Sequence, residues 1–203
     1  MERSAIRDQP RSSRGFPWIA LHSIRAAAFA TTAAIGVSAF AQTLDLAASG
    51  FAIAPPQGYV ATPGVTSSPS HVVVSLTKPA EPGTACEASF EALPGFELFS
   101  QDALNRQTDN PGWDVFYRDG LGDFYAVTSV ERFDHAGVRG AVVRGTSKPR
   151  PTLRGWTAGL PTLIFMFYTP KGLSKIACVA PPAVFETRRA EFETVARGIT
   201  LAR

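Results

Sequence analysis

With 203 residues, 45% of them hydrophobic and 18% charged, the chain is sized for one globular domain with a core of its own and is too apolar for intrinsic disorder. Five of its twenty lysines and arginines but only two of its seventeen acids precede Gln42, so the formal charge of +3 belongs to the leader and the remaining chain, with fifteen of each, is neutral. A basic balance of that origin gives no support to a nucleic-acid-binding surface, and none is expected.

Residues 1–41 read as a signal peptide. Arg3, Arg7, Arg11, Arg14 and Arg25 form a basic n-region, "AAAFATTAAIGVSAF" a short apolar stretch, and Ala39 and Ala41 the small residues that precede a cut. The apolar run over residues 26–40 is too short and too alanine-rich to span a bilayer comfortably. The expected outcome is cleavage after Ala41, no stable membrane insertion afterwards, and a periplasmic or secreted destination. No cysteine follows the cut to carry a lipid, and no Arg-Arg pair suggests the twin-arginine route. Residues 42–49 form a short tail and residues 50–203 a single domain without internal repeats.

The domain opens with "GFAIAPPQGY", a strand over residues 51–54 stopped by Pro55 and Pro56 and turned at Gly58. "ATPGVTSSPS" reads as a loop, "HVVVSLT" as a second strand and "KPAEPG" as a turn. "TACEASFEA" alternates, with Cys86, Ala88, Phe90 and Ala92 on one face and Glu87, Ser89 and Glu91 on the other, which predicts a half-buried strand whose acids form its wet side. Ser100 is suited to N-cap a short helix through about Gln107, which "TDNPG" breaks.

"DFYAVTSVERF" and "VRGAVVRGT", joined by "DHAG", read as a hairpin. "KPRPTLRGWTAG" is an irregular basic loop. "LPTLIFMFYTP" is apolar on both parities, as a central strand covered on two sides must be, and "KG" turns it into the strand of Cys178. Pro181 and Pro182 end that strand. Phe185, Phe192, Ala196 and Ile199 then fall on one stripe, with Glu186, Arg188, Arg189 and Glu193 off it, and Gly198 marks the end of the helix. "GITLA" is placed to add a last strand. The fold class expected is α+β: a single-domain sandwich with a largely antiparallel sheet and a C-terminal amphipathic helix.

An exported chain meets an oxidising compartment, where two thiols within reach of each other become a disulfide. Cys86 and Cys178 both point inward from strands, so they are expected to pair inside one sheet or between layers. Closing a loop of about 90 residues contributes roughly 4 kcal/mol on the chain-entropy model. A redox pair or metal site is the weaker reading, since there is no Cys-x-x-Cys and His22, His71 and His135 are scattered.

The element order, "FAIAPPQGY" and "TPKGLSKIACVAPPAVFETRRAEFETVARGI" resemble small exported bacterial proteins with a PsbP-like fold over residues 50–201. That resemblance implies an α/β/α sandwich used chiefly as a binding or accessory module, with no catalytic residues to carry over. The loop "KPRPTLRGWTAG" has no place on the pattern.

No cofactor and no enzymatic activity are expected. There is no Gly-x-Ser-x-Gly, and "GLG" at Gly120 lacks the Lys-Ser/Thr of a phosphate loop. Asp134 and His135 are neighbours on a turn, where side chains do not face each other as a catalytic pair.

Two surfaces exceed this background. Residues 42–134 hold twelve acids and four bases, whereas residues 135–185 hold seven bases and no acid. Arg139, Arg144, Lys148, Arg150 and Arg154, with Trp156 as the aromatic, therefore make a candidate contact for an acidic protein or an anionic envelope component. The bland alternative is that this run pairs with the acidic strands. The second surface is "PGWDVFYRDG", whose Trp113, Phe116 and Tyr117 would line a pocket between sheet and helix in a small-ligand carrier, or serve as core and loop anchors.

Overall fold

The computed structural model describes residues 44–46, 49–64, 70–149 and 158–203. In chain order the strands are β1 (Leu44–Leu46), β2 (Phe51–Ile53), β3 (Val60–Pro63), β4 (His71–Thr77), β5 (Ala85–Ala92), β6 (Tyr125–His135), β7 (Val138–Ser147), β8 (Pro161–Thr169), β9 (Gly172–Val179) and β10 (Ile199–Thr200). The α-helices are α1 (Gln101–Gln107), α2 (Trp113–Gly122) and α3 (Arg189–Arg197). Seven strands form one sheet in the order β3-β4-β5-β9-β8-β7-β6, and β1, β2 and β10 form a small second one; the pairing is antiparallel throughout.

The large sheet is buried on both faces, and the pleat of β8 shows why its sequence is apolar on both parities. Leu163, Phe165 and Phe167 join a core with Phe51, Phe192 and Val195, whereas Ile164 and Met166 join a second core with Tyr117, Tyr125 and Val143. Helix α3 and the small sheet close the first face. Its Phe192, Val195 and Ala196 are buried, as the predicted stripe requires, and Gly198 follows as the C-cap with its carbonyl accepting from the Ala54 N–H at 2.9 Å. Helices α1 and α2 close the other face, packing on β6, β7 and β8. The result is the α+β, three-layer sandwich with its C-terminal amphipathic helix.

Ser100 N-caps α1, its hydroxyl accepting from the Ala103 N–H at 3.2 Å. Cys86 and Cys178 are disulfide-bonded within one sheet, directly opposite each other on β5 and β9.

Two local expectations are corrected, and one helix is added where the sequence assigned no element. "ATPGVTSSPS" is not all loop, since Val60–Pro63 pairs with β4 as an edge strand, the place where a proline is tolerated. The tail contributes β1, which completes the small sheet. "WDVFYRDGLG", punctuated by two glycines, is nonetheless helical.

A candidate binding pocket under the first helical layer

The pocket begins with a chain reversal. Gly112 takes φ 75°, a left-handed conformation that lets α2 start immediately after Pro111. From that start Trp113, Phe116 and Tyr117 stand at i, i+3 and i+4 and share one side of the helix. The rings meet edge to face: Trp113 and Tyr117 centroids are 5.6 Å apart, Phe116 and Tyr117 5.4 Å. Tyr168, pointing from β8 toward the same layer, reaches Phe116 at 6.0 Å and Tyr117 at 6.4 Å, and stacks on Phe96 at 5.7 Å. These five rings, with Leu104 and Pro111, line a cavity of about 350 Å³, near the lower end of the roughly 300–1,000 Å³ of small-ligand sites.

Polar groups in the lining are few. Asn110 donates to Gln107 Oε1 at 3.1 Å. Burial pushes the Tyr117 phenol up to about 12 and raises Tyr168 as well, so both stay neutral at physiological pH. Arg139, on β7, is the one charged residue of the lining. Its guanidinium donates twice to Asp109, at 2.5 and 2.6 Å, and its backbone N–H donates to Asn105 Oδ1 at 3.0 Å. Arg132, from β6, lies 3.7 Å from the same Asp109, donates to the Thr108 carbonyl at 2.6 Å, and sits over the Trp113 ring at 5.8 Å. One carboxylate is therefore shared by two guanidinium groups beside the cavity, and Asp134 stands directly opposite Arg139 on β6.

Apolar surface continues outside the cavity. Among the described residues the exposed large hydrophobics are Val60, Leu98, Phe99, Val115 and Phe116. Two of these border the pocket: Phe116 is part of its lining, and Phe99 packs on Phe96 at 6.2 Å.

The three aromatics named from the sequence are thus brought together on one wall. Phe96, Leu104 and Tyr168 complete it and were not singled out by sequence. Tyr168 could have been, because the alternation along β8 assigns it to the face opposite Phe165 and Phe167. Phe96 lies in an irregular segment with no periodicity to place it.

The basic residues are not gathered on one surface. Arg139 stands at the pocket, whereas Arg144 is on the opposite face of the sheet, paired with Glu186 and 5.6 Å over the Phe185 ring. Lys148 donates to the Gly122 carbonyl at the end of α2. Arg150, Arg154 and Trp156 lie outside the described residues.

The wet face expected for β5 is not wet. Glu87 and Ser89 are buried because the sheet is covered on this side too, and Lys175, opposite Ser89 on β9, supplies the countercharge. Burial raises the Glu91 carboxyl, against the opposing pull of Lys175, and lowers the Lys175 ammonium, against that of Glu87 and Glu91. Among the described residues no group of His, Cys, Asp and Glu is arranged to hold a metal ion, and no helix is long and apolar enough to cross a membrane.

No protein-family model matches the chain, and no curated protein matches it. Solved structures do. The solution structure of cyanobacterial PsbP (CyanoP) from Synechocystis sp. PCC 6803 superposes with a TM-score of 0.52 at 16% identity, covering 82% of this chain and 96% of that one. The chain has a PsbP-like fold.

Proposed function

We propose that the chain is an accessory binding module of an oxidising, extracytoplasmic compartment, without catalysis of its own, and that it binds through the aromatic pocket between α1, α2 and the sheet. The observation that carries this reading is the convergence of five rings on a cavity where Phe116 of the wall and Phe99, packed on Phe96, remain about half exposed. Monomeric domains rarely cluster apolar side chains in water unless something covers them. The lining holds no carboxylate, histidine or thiol, so it offers shape, apolar area and one guanidinium, the equipment of recognition and not of bond making. The basic leader and the Cys86–Cys178 bridge support the compartment.

The test is a titration of isotope-labelled protein with indole, a neutral aromatic probe of about the right size, followed by amide and indole N–H chemical shifts. Saturable changes centred on residues 112–117 and on Tyr168 are expected. Changes that never saturate, or that fall elsewhere on the molecule, would overturn the pocket. Intact mass of the chain recovered from the periplasm of an expressing bacterium tests the compartment, with a start at Gln42 expected; an uncut chain retained in the cytoplasm would remove it.

A further inference from the structure

Resting on that pocket reading, we infer that the natural ligand is a small uncharged planar ring compound bearing a carbonyl oxygen, whose ring lies among the five aromatic side chains and whose oxygen accepts from the hydroxyls of Tyr117 and Tyr168.

The first ground is charge. Arg139 is the one charged residue of the lining, and it is not free to recognise an anion. Its guanidinium donates twice to Asp109, and Asp134 stands directly opposite it on β6. With Arg132, which shares Asp109, two guanidinium groups stand beside two carboxylates. On the β5 side the acid that acts on Tyr168 is Glu91, and Lys175 opposes it. An anion would have to compete with Asp109 and Asp134, and a cation would meet two arginines. An uncharged ligand disturbs neither pairing.

The second ground is shape. Trp113 and Phe116 stand at 79° and 85° to the Tyr117 ring, whereas Phe96 is stacked on Tyr168. The wall therefore presents ring faces and ring edges together, which is how aromatic groups pack around a flat ring. A cavity of about 350 Å³ suits a compact ring compound. Phe116, 48% exposed, is covered when one enters.

The third ground is the pair of phenols. Neither the Tyr117 nor the Tyr168 hydroxyl has a hydrogen-bond partner among the described residues. Neither belongs to the unpartnered polar atoms that are sealed from solvent, so both hydroxyls open onto accessible space. Tyr117 is only 5% exposed, and the open space it lines is the cavity. The two phenols are near enough that an ionised Tyr117 would raise Tyr168, and burial keeps both protonated, so each remains a donor at physiological pH. A buried donor left unused is costly, and a carbonyl oxygen, with two lone pairs and no charge, can satisfy both.

The experiment titrates the full chain with four probes of one size, read by amide and indole N–H chemical shifts: ethylbenzene, acetophenone, benzoate and benzylamine. Acetophenone, the neutral carbonyl compound, is expected to bind at least about five-fold more tightly than the anion or the cation. The second measurement uses the double variant Tyr117→Phe with Tyr168→Phe, which keeps both rings and removes both hydroxyls. It is expected to weaken acetophenone about five-fold more than it weakens ethylbenzene, the loss of one net hydrogen bond. A purely structural role of the tyrosines would move both probes alike. If indole and ethylbenzene bind but the double variant treats acetophenone and ethylbenzene equally, the phenols do not recognise an acceptor and the inference fails with the pocket intact. If benzoate or benzylamine binds as tightly as acetophenone, the charge argument fails and the inference with it. If neither indole nor any of the four binds, the pocket reading itself falls.

Discussion

Cys86 and Cys178 stand directly opposite each other on neighbouring strands, 92 residues apart in sequence, and their bridge ties β5 to β9 at the middle of the seven-stranded sheet. On one side of this pair lie β3 and β4, and on the other β8, β7 and β6, so the bond joins the two halves of the sheet. Both sulfurs lie in the core shared with α3.

The first prediction follows from that placement. Closing so long a loop restricts the unfolded chain and contributes about 4 kcal/mol on the chain-entropy model. Replacing both cysteines by alanine, or adding reductant, is expected to lower the thermal midpoint by roughly 8–16 °C for a domain of this size. A midpoint that stays within about 2 °C would show that the reduced chain is as well folded by its packing alone.

A second concerns acid. Burial by itself would raise the Glu191 carboxyl, but hydrogen bonds from Lys78 at 2.7 Å and Arg188 at 2.9 Å outweigh it and hold the group below its ordinary value. Glu131 is lowered chiefly by Arg189, which bridges it to Glu193 and so joins β6 to α3. A carboxyl whose folded pKa is depressed adds stability that is fully present above its unfolded value, near 4.3, and that is lost as pH falls through the folded one. Stability should therefore drop below about pH 4, and Glu191→Gln should lower the midpoint at pH 7 while flattening this acid limb. Glu91 has the opposite sign, because burial raises it. Its ionised form costs stability at neutral pH, so Glu91→Gln is expected to raise the midpoint at pH 7, and a clear fall would contradict the assignment.

The fold was legible where one physical signal governed. The two-parity apolar run of β8, the stripe of α3 and the inward cysteines each followed from periodicity, and each stands in the structure. The sequence misled where covering came from a distant segment. Glu87 alternates with apolar residues as an exposed acid would, yet the sheet has a second covered face, which no local pattern announces. Similarly, Gly120 and Gly122 lower helix propensity, but the aromatic side of α2 packs on β6 and packing outweighs propensity. For the pocket, Trp113, Phe116 and Tyr117 were visible as a group in one segment, whereas Phe96 and Tyr168 join them only through the crossing of three segments.

The third prediction tests the sheet at its tightest point. Gly172 opens β9 with φ 144°, and a Cβ there would lie 2.0 Å from the Glu91 carbonyl oxygen and 2.9 Å from the Ala92 Cα, both backbone atoms of the paired strand. Gly172→Ala must part β9 from β5 and is expected to cost about 2–4 kcal/mol in denaturant unfolding. Gly95, also at positive φ but with nothing within 4 Å of its Cβ position, is the control: Gly95→Ala should cost only the backbone term, about 1–2 kcal/mol. Equal costs at the two sites would mean that the strands separate without penalty.

The last prediction separates the wall of the pocket from its rim. Tyr117 is 5% exposed and shares the second core with Tyr125 and Ile164, so Tyr117→Ala removes packing and should cost about 3–5 kcal/mol. Phe116 is 48% exposed and Leu98 83%, so Phe116→Ser and Leu98→Ser should each change stability by less than about 1 kcal/mol. Binding should sort them differently. Phe116→Ser is expected to weaken indole because its ring is part of the wall, while Leu98→Ser spares it because Leu98 is no part of the lining. A Phe116→Ser protein of unchanged stability that binds indole as well as the parent would show that the exposed ring is no part of the site, and the site would then have to be redrawn around Trp113 and Tyr168 alone.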